Sequence, residues 1–382
     1  MKKTSLQLYR YSIPLRTPFH SAAGTIKKRE GLLMGDLPAI WTEIAPLPGF
    51  STETVGECSE FLIEHAKKIA HHFRNTSIDE LLSDLSITDQ LNRLPSVRFG
   101  LSMLSEQQKA INAGHPLHVF WKEQLFPDRQ DASSTGHTVR CNAVLPLSDT
   151  DALSETIHIR KESGFRTLKI KLPEQPREAS SLIHQVCEGF PDLVFRFDAN
   201  RAFSLSDARI LFESLNQDRN DPIKGLPIQN LQYIEEPLQD PDPADMAELS
   251  KTGVPLAADE SARTPADVRS FAESNSVAFL VIKPMLFGSF TELTSAIRGP
   301  LPVVISSVFE TVVGRTLLAH LASVCNVKRE LDHGLATGPF LEHDFVSTPS
   351  RPYIETGTFS HGDIRPDIHR SWITRVKAMG SS

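Results

Sequence analysis

The sequence predicts a modified (β/α)8 TIM barrel that follows a smaller α+β domain. From about residue 137 onward, eight short runs of β-branched and apolar residues recur along the chain. Stretches with the apolar spacing of amphipathic helices lie between most of these runs. Strands that alternate with helices are typical of parallel sheets with crossover connections, and eight such units match the size of a compact barrel.

The eight candidate strands are, in chain order, VRCNAVL, TLKIKL, LVFRFDAN, LQYIEEP, VPLAADE, FLVIKP, PVVISSV and HGLATG. The candidate helices between them are DALSETIHIRKESG, REASSLIHQVCEGF, SLSDARILFESLN, PADMAELSKTG, TPADVRSFAES and SFTELTSAIRG. A doubly wound sheet is the alternative fold. It predicts a glycine-rich phosphate-binding turn after the first strand, and none follows VRCNAVL, so the barrel is preferred.

The chain before the barrel predicts an α+β domain, because three candidate strands precede two helical stretches. The strands are SLQLYRYSI, GLLMGD and AIWTEIAP, and the helices lie around CSEFLIEHAKKIAHHF and SVRFGLSMLSEQQKAIN. Two segments are predicted as loops from their small, polar, proline and glycine residues, namely TPFHSAAGTIKKRE and PLPGFSTET. We expect residues 1–136 to form this domain, 137–346 the barrel, and 347–382 to pack back on the first domain.

Composition and charge exclude several classes of protein. The 382 residues are 40% hydrophobic and 23% charged, which is ordinary globular usage. The net charge of −7 comes without a dominant basic block, so no nucleic-acid partner is expected. No apolar run is long enough to span a membrane or to serve as a signal peptide, and the four dispersed cysteines fit a reduced compartment. We expect a cytoplasmic protein with no obligate protein partner.

Ionisable residues recur at the predicted C-terminal ends of successive strands, where barrel active sites lie. They are Lys169 and Lys171 in TLKIKL, Asp198 in FRFDAN, Glu235 in YIEEP, Asp259 in AADES, and Lys283 in VIKP. Because side chains on a strand alternate between its faces, Lys169 shares a face with Lys171, and Arg196 shares one with Asp198.

The three acids predict a metal site. Carboxylates inside a barrel are costly to desolvate unless they are paired or bound to a cation. Three carboxylates without cysteine or suitably spaced histidine favour a hard cation with open positions for substrate oxygens, so Mg²⁺ is preferred to Zn²⁺, with Mn²⁺ as an acceptable substitute.

Lys171 and Lys283 flank these acids and predict proton-transfer chemistry. Burial near cations can lower the pKa of a lysine from about 10.4 toward neutrality, as a general base requires. The predicted reaction is abstraction of a proton α to the carboxylate of a small-molecule substrate, with metal stabilisation of the enediolate.

The motifs KIK, DAN, EEP, DES and IKP, in this order, resemble those of the enolase superfamily in its muconate-lactonizing-enzyme-like subgroup. The resemblance narrows to the o-succinylbenzoate synthase family through WTEIAPLPGFSTET, PSVRFGLSML, FDANRAF, VIKPMLFGS and VISSVFET. It implies an enolase-like fold whose N-terminal domain caps the barrel. It also implies syn dehydration of 2-succinyl-6-hydroxy-2,4-cyclohexadiene-1-carboxylate to o-succinylbenzoate, in menaquinone biosynthesis.

The resemblance also implies a role for each matching residue. Lys171 matches the acid/base, Lys169 its neighbour in the substrate pocket, and Lys283 a cation that stabilises the enediolate without moving a proton. The metal ligands would be Asp198, Glu235 and Asp259. Glu236 and Glu260 would lie next to these ligands without binding the metal themselves.

Substrate contacts are implied at both domains. Leu47 and Phe50 in PLPGFS match residues that close over the substrate. Ser306 and Ser307 fit a serine run that contacts the succinyl carboxylate, whereas Val308 departs from it, and a structural role at the strand end is the alternative for both serines.

Two further residues keep two interpretations each. Asn200 is either a structural residue at the start of a helix or a substrate ligand. Arg196 is either part of a structural ion pair deep in the barrel or a residue that orients Lys171.

Two other functions stay open. A racemase of N-acylamino acids or an epimerase of dipeptides uses the same lysine pair, with both lysines as acid/base. A catalytically silent barrel used for binding is the second alternative, against which the complete set of lysines and acids argues.

Overall fold

A computed structural model describes residues 6–21, 24–36, 40–129, 138–146, 150–217, 228–345, 353–355 and 373–379. The N-terminal sheet has four antiparallel strands in the order β13-β1-β2-β3. Their bounds are β1 (Leu6–Ser21), β2 (Gly24–Asp36), β3 (Ile40–Ile44) and β13 (Ile373–Met379). A segment late in the chain therefore completes one edge of this sheet.

The hairpin of β1 and β2 corrects the prediction of a loop at TPFHSAAGTIKKRE. In its described part, Phe19 pairs with Ile26 and Ser21 with Gly24, so the segment is mostly strand. Thr25, Lys27 and Lys28 are exposed, whereas Ile26 and Arg29 are buried. Strand pairing satisfies the backbone hydrogen bonds even where one face of the strand carries polar side chains. The polarity of the segment alone therefore did not distinguish a strand from a loop.

The N-terminal domain continues with six helices. They are α1 (Val55–Glu64), α2 (Ala66–Asn75), α3 (Ile78–Leu82), α4 (Thr88–Asn92), α5 (Pro95–Ala113) and α6 (Leu117–Leu125). Helix α5 packs closely against the sheet at Gly100, where there is no space for a side chain. A Cβ atom at this position would lie 2.3 Å from Cγ1 of Ile44. It ends at Gly114, whose φ of 75° favours glycine.

The barrel contains a sheet of seven parallel strands with the order β11-β10-β9-β8-β7-β6-β5. The strands are β5 (Ala143–Leu145), β6 (Thr167–Lys171), β7 (Val194–Asp198), β8 (Leu231–Glu235), β9 (Leu256–Ala258), β10 (Phe279–Ile282) and β11 (Val303–Ile305). The connecting helices are α7 (Thr150–Glu162), α8 (Pro176–Gly189), α9 (Leu205–Gln217), α10 (Pro243–Ser250), α11 (Pro265–Glu273), α12 (Pro284–Phe287), α13 (Phe290–Arg298) and α14 (Val312–Cys325). The curled sheet confirms the predicted barrel class.

The predicted eighth strand, HGLATG, closes the ring with single bridges. His333 bridges to Cys141 and Gly334 bridges to Ser306, through backbone hydrogen bonds of 2.9 to 3.0 Å. The predicted first strand is also divided, since β4 (Thr138–Arg140) leaves the barrel sheet and pairs with β12 (Tyr353–Glu355). We call the place where the ring closes, around Cys141, His333 and Gly334, the seam. There, the bridges of HGLATG and the short strand β5 take the place of two full strands.

Helix α14, which follows the seventh barrel strand, was not among the helices predicted from the sequence. Residues from Val313 to Cys325 are buried along this helix. A helix that is covered on all sides lacks the one-sided apolar pattern by which helices are recognised.

The predicted domain boundaries stay predictions, because residues 130–137 and 346–352 lie outside the described part of the chain. Among the helices that the structure describes, none is long and apolar enough to cross a membrane.

Candidate active site

The predicted lysines and acids meet at one edge of the barrel. Lys171, Asp198 and Glu235 are the last residues of three consecutive strands, and each pairs in register with the next. Asp259 directly follows β9 and Lys283 directly follows β10. Because parallel strands end at the same edge, five strands bring these side chains together at the barrel mouth.

Lys169 lies between two of the predicted metal ligands. Its Nζ is 2.8 Å from Oδ2 of Asp198 and 2.7 Å from Oε1 of Glu235. Burial alone lowers the pKa of Lys169, but the charges of these two carboxylates outweigh it and hold that pKa well above its ordinary value. Lys169 therefore carries a positive charge at the base of the site.

Lys283 is held on the other side by Asp259, to which its ammonium donates, and by Glu260 at 3.3 Å. Burial lowers the pKa of Lys283, but the charges of these two acids raise it above its ordinary value. The ammonium lies 5.9 Å from the ring centre of Phe50 in the N-terminal domain. Lys283 is thus a fixed cation that faces the first domain.

Two of the acids, Glu235 and Asp259, are buried, and their pKa values are raised above the ordinary range. Burial raises the pKa of Glu235, and the neighbouring carboxylates of Asp198 and Asp259 raise it further. Burial also raises the pKa of Asp259, with Glu260 as the next cause. Such carboxylates gain most from a nearby cation.

The donor set fits a divalent cation, although it is not assembled as a metal site. Within the described residues, no three His, Cys, Asp or Glu side chains converge closely enough to hold a metal ion. The ammonium groups of Lys169 and Lys283 contact these acids. Oε2 of Glu235 is buried and accepts no hydrogen bond. An unsatisfied carboxylate oxygen beside two other carboxylates suits a hard cation.

Lys171 differs from the other lysines because its side chain is exposed. No hydrogen bond or ion pair involves it among the described residues. It lies on the same face of β6 as Lys169, two residues further toward the mouth. One lysine of the KIK motif is therefore bound to acids, and the other is open to solvent.

Asn200 supports Asp198 through its backbone. Its N–H donates to Oδ1 of Asp198 at 3.0 Å, and its φ of 46° lies in the left-handed region. Helix α9 begins only at Leu205, so Asn200 is not the residue that starts a helix. Its exposed side chain leaves the role of substrate ligand as a prediction.

Glu236 fixes the loop that carries Asp259. Its Oε1 accepts from the backbone N–H of Asp259 and of Ser261, both at 2.8 Å, and from the Ser261 hydroxyl. Its φ of 43° is left-handed, and these hydrogen bonds hold that backbone in place. Glu236 therefore contacts the backbone of the predicted ligand Asp259, and Glu260 contacts Lys283.

Arg196 lies deeper in the barrel and is fully buried. It donates to Oε1 of Gln232 at 2.6 Å, to Oδ1 of Asn142 at 2.8 Å and to the carbonyl of Asp332 at 2.6 Å. It also stacks 5.2 Å from the ring centre of Tyr233. Among the residues that the structure describes, Arg196 forms neither an ion pair nor a hydrogen bond with Lys171, the two interpretations left open, because neutral acceptors satisfy its guanidinium.

The predicted substrate contacts of the first domain lie in a folded turn. Its shape comes from the carbonyl of Leu47, which accepts from the N–H of Phe50 at 3.0 Å and of Ser51 at 2.8 Å. Leu47 is packed in the core with 4% exposure, whereas Phe50 is half-buried beside Lys283. Phe50 is therefore the one of the pair that faces the mouth.

The two serines differ in availability. The hydroxyl of Ser307 donates to Oε2 of Glu310 at 2.5 Å and lies 2.8 Å from the hydroxyl of Thr337. Ser306 is half-buried beside the seam residue Gly334. The side chain of Ser307 is thus engaged within its own loop, in line with the structural alternative.

Two residues near the site escaped the sequence analysis. Arg263 donates to the carbonyl of Phe50 at 2.7 Å and to that of Glu260 at 3.0 Å, so it joins the two domains at the mouth. Val144 pairs in register with Lys169, shares its face and is 45% exposed. The signal for Arg263 was its place two residues after the DES motif, and that for Val144 was the strand period.

A barrel with lysines and acids at these strand ends, beside an N-terminal α+β domain, defines the class of protein. Residues 152–361 match the family described as "Enolase C-terminal domain-like", and residues 3–108 match "MenC, N-terminal domain". The chain belongs to the enolase superfamily.

Within the superfamily, the similar curated proteins are o-succinylbenzoate synthases. The protein of Yersinia pseudotuberculosis serotype O:1b is 31% identical over 325 residues, which cover 83% of this chain and 85% of that protein. The protein of Yersinia enterocolitica serotype O:8 is 32% identical, with 82% and 85% covered. The family resemblance inferred from the motifs is therefore confirmed.

Solved structures support the fold. An o-succinylbenzoate synthase from Thermosynechococcus elongatus BP-1, complexed with Mg in the active site, has a TM-score of 0.64 and 23% identity, covering 86% of this chain and 92% of that one. A dipeptide epimerase from Enterococcus faecalis V583, complexed with Mg and a dipeptide, has a TM-score of 0.73 and 18% identity, covering 92% and 96%. At these identities the likeness shows the shared architecture.

Proposed function

We propose that this protein is an o-succinylbenzoate synthase, a lyase that dehydrates 2-succinyl-6-hydroxy-2,4-cyclohexadiene-1-carboxylate in menaquinone biosynthesis. The observation that carries the proposal is the difference in exposure and ion pairing between the two lysines that flank the acids. Lys171 is exposed and free of ion pairs among the described residues, whereas Lys283 is held by Asp259 and Glu260. A syn elimination needs one mobile base on one face and gains from a fixed charge on the other.

In this proposal Lys171 removes the proton α to the substrate carboxylate and then returns a proton to the departing hydroxyl. Lys283 stays protonated and stabilises the enediolate through its charge. Both carboxylates that hold Lys283 also prevent it from approaching the proton. The two lysines thereby divide proton transfer and charge stabilisation between them.

Asp198, Glu235 and Asp259 would hold a divalent cation, Mg²⁺ in our proposal with Mn²⁺ as substitute. When bound, the cation supplies positive charge for the oxygens of the substrate carboxylate. Lys169, which contacts Asp198 and Glu235, would compete with the cation for these two carboxylates and would be a positively charged neighbour of the substrate pocket.

The substrate would lie between the barrel mouth and the turn that carries Phe50. Phe50 and Val144 offer apolar surface for a ring, and Ser306 offers a hydroxyl for the succinyl carboxylate. A cytoplasmic location remains part of the proposal.

The direct test is a spectroscopic assay of o-succinylbenzoate formation with purified protein, Mg²⁺ and the cyclohexadiene substrate. We expect turnover that depends on the cation. A protein that binds Mg²⁺ but forms no product would refute the proposal. A protein that binds neither metal nor substrate would instead support the silent barrel.

A racemase of N-acylamino acids or an epimerase of dipeptides is the second candidate, since lysines flank the acids on both sides. The test is proton exchange in deuterium oxide, followed by NMR with each enantiomer of an N-succinylamino acid. Exchange of both enantiomers without dehydration of the cyclohexadiene would favour the racemase.

A further inference from the structure

Two loops approach each other across the barrel mouth, one from each domain. The cap loop, residues 45–51, contains the Leu47 turn and Phe50. The serine loop, residues 306–311, follows β11 and contains Ser306 and Ser307. These loops carry the substrate contacts predicted for the two domains, so their separation sets the size of the site.

Arg29 of β2 binds both loops. On the cap loop, its guanidinium donates to the carbonyl of Pro46 at 2.5 Å and to that of Ala45. On the serine loop, its Nε donates to the carbonyl of Val308 at 3.0 Å. The side chain is 1% exposed. One rigid, planar group thus spans the gap between the loops.

Each hydrogen bond that Arg29 donates within the described part of the chain goes to a backbone carbonyl. Besides the two loops, it donates to the carbonyl of Glu30 at 3.1 Å. Among the described residues, no carboxylate lies within ion-pair distance of it. A buried guanidinium is costly unless its donors are satisfied, so these carbonyls are held where the guanidinium needs them.

The serine loop is bent at its contact with Arg29. Phe309, next to Val308, has a φ of 63°, which a bulky residue adopts only under constraint. Its ring packs edge-on against Phe19 of the hairpin, with ring centres 5.0 Å apart, and against Phe340 at 5.5 Å. The first domain therefore holds both the tip and the adjoining carbonyl of this loop.

Glu43 of β3 clamps the far end of the serine loop. Its carboxylate accepts from the hydroxyl of Thr311 at 2.5 Å, from the Thr311 N–H and from the N–H of Gly314 at 2.9 Å. These bonds join the first domain to the first turn of α14. The end of the loop is fixed independently of Arg29, which leaves its middle for Arg29 to place.

We propose that Arg29 is a positioning residue that sets the separation of the cap loop and the serine loop, and thereby how tightly the closed site holds its substrate. The kinetic consequence rests on the proposed function. The structural consequence, a fixed spacing of the two loops, does not.

Hydrogen exchange followed by mass spectrometry tests the spacing without any substrate. In Arg29→Met, amides of residues 45–51 and 306–311 should exchange faster, while peptides of β6 to β8 keep their rates. Arg29→Lys keeps the charge but cannot reach all the carbonyls, so it should show a smaller increase in the same peptides. It also decides the outcome if Arg29→Met does not fold.

Arg98→Gln is the matched control. Arg98 of α5 forms an ion pair with Glu292 of α13, so it also joins the domains, but it contacts neither loop. Its removal should leave exchange in both loops unchanged. Unchanged exchange in folded Arg29 variants, or the same increase in Arg98→Gln, would overturn the proposal.

Steady-state kinetics test the functional consequence. Arg29→Lys should raise KM for the cyclohexadiene substrate by about 10-fold while kcat falls by no more than about 3-fold, because positioning acts mainly on binding. Arg98→Gln should change neither value. A wild-type protein without dehydration would refute the proposed function alone, since the exchange experiment still decides on Arg29. Equal losses in both variants would show that Arg29 merely stabilises the fold.

Discussion

Nζ of Lys169 lies 2.7 Å from Oε1 of Glu235, a carboxylate with no exposed surface. The contact places a lysine from β6 among the acids of β7 and β8, two residues before the proposed base. Its neighbour Lys171 shares the strand face yet reaches solvent. Lys169 and Lys171 therefore differ in how deep they lie along one strand, and this difference gives them different roles.

Lys171→Ala should lose turnover by about 10³-fold or more, because Lys169 and Lys283, the other two lysines of the site, are held by carboxylates. Since Lys171 is exposed and forms no hydrogen bond or ion pair with the part of the chain that the structure describes, the free energy of unfolding should change by less than about 0.5 kcal/mol. Exchange of the substrate's α proton in deuterium oxide is the measurement. Exchange that persists in the variant would require a different base.

Glu235→Gln and Lys169→Gln should shift metal affinity in opposite directions. The first removes a proposed ligand and should weaken Mg²⁺ binding, whereas the second removes a competing cation and should strengthen it. Titration calorimetry measures both. Chelation should abolish activity, and full activity of metal-free protein would contradict the metal assignment.

Lys283→Ala should lower kcat more than it raises KM, because the lost charge acts on the transition state. Lys283→Arg keeps a cation within reach of Asp259 and should retain part of the activity. Mg²⁺ binding should persist in both variants. A loss in Lys283→Arg as large as in Lys283→Ala would point to proton transfer by this lysine, and hence to the racemase.

His333 should make stability depend on pH on the acidic side. Burial, and next the charge of Arg196, lower its pKa to about 3, and its Nδ1 accepts from the Ile305 N–H at 2.9 Å. Below about pH 6.5 the unfolded chain binds a proton that the folded chain refuses, so the free energy of unfolding falls by about 1.4 kcal/mol per pH unit down to about pH 3. Above pH 6.5 this contribution is constant.

Urea unfolding of wild type and His333→Gln between pH 7 and 4 measures this dependence. In the variant, the free energy of unfolding should depend less steeply on pH, by the equivalent of about one bound proton. Some slope should remain, because burial also lowers the pKa of His320. Identical slopes in both proteins would mean that His333 accepts a proton in the fold.

The order of motifs along the chain predicted which edge of the barrel carries the site. Strand period and parallel direction alone bring Lys171, Asp198 and Glu235 together, so spacing was sufficient for their placement. Spacing does not state which opposite charges pair across the barrel. The contacts of Lys169 with two acids, and of Arg196 with neutral groups only, depend on side-chain reach and depth.

The hairpin and the seam show a second limit of the sequence. The described part of TPFHSAAGTIKKRE forms strand because the pairing of β1 with β2 supplies backbone partners for its polar residues. HGLATG contributes only single bridges, to Cys141 on one side and to Ser306 on the other. In both cases the structure depends on a distant partner, which local composition does not specify.

The pairing of β13 with β1 has a consequence for the order of folding during synthesis. Gln7 pairs with Ala378, so the outer edge of the first sheet stays open until nearly the whole barrel has been translated. An open strand edge can pair with other chains, and contacts so distant in sequence form slowly. We expect nascent chains to need protection of the β1 edge, and loss of residues 373–379 to promote aggregation before it reduces catalysis.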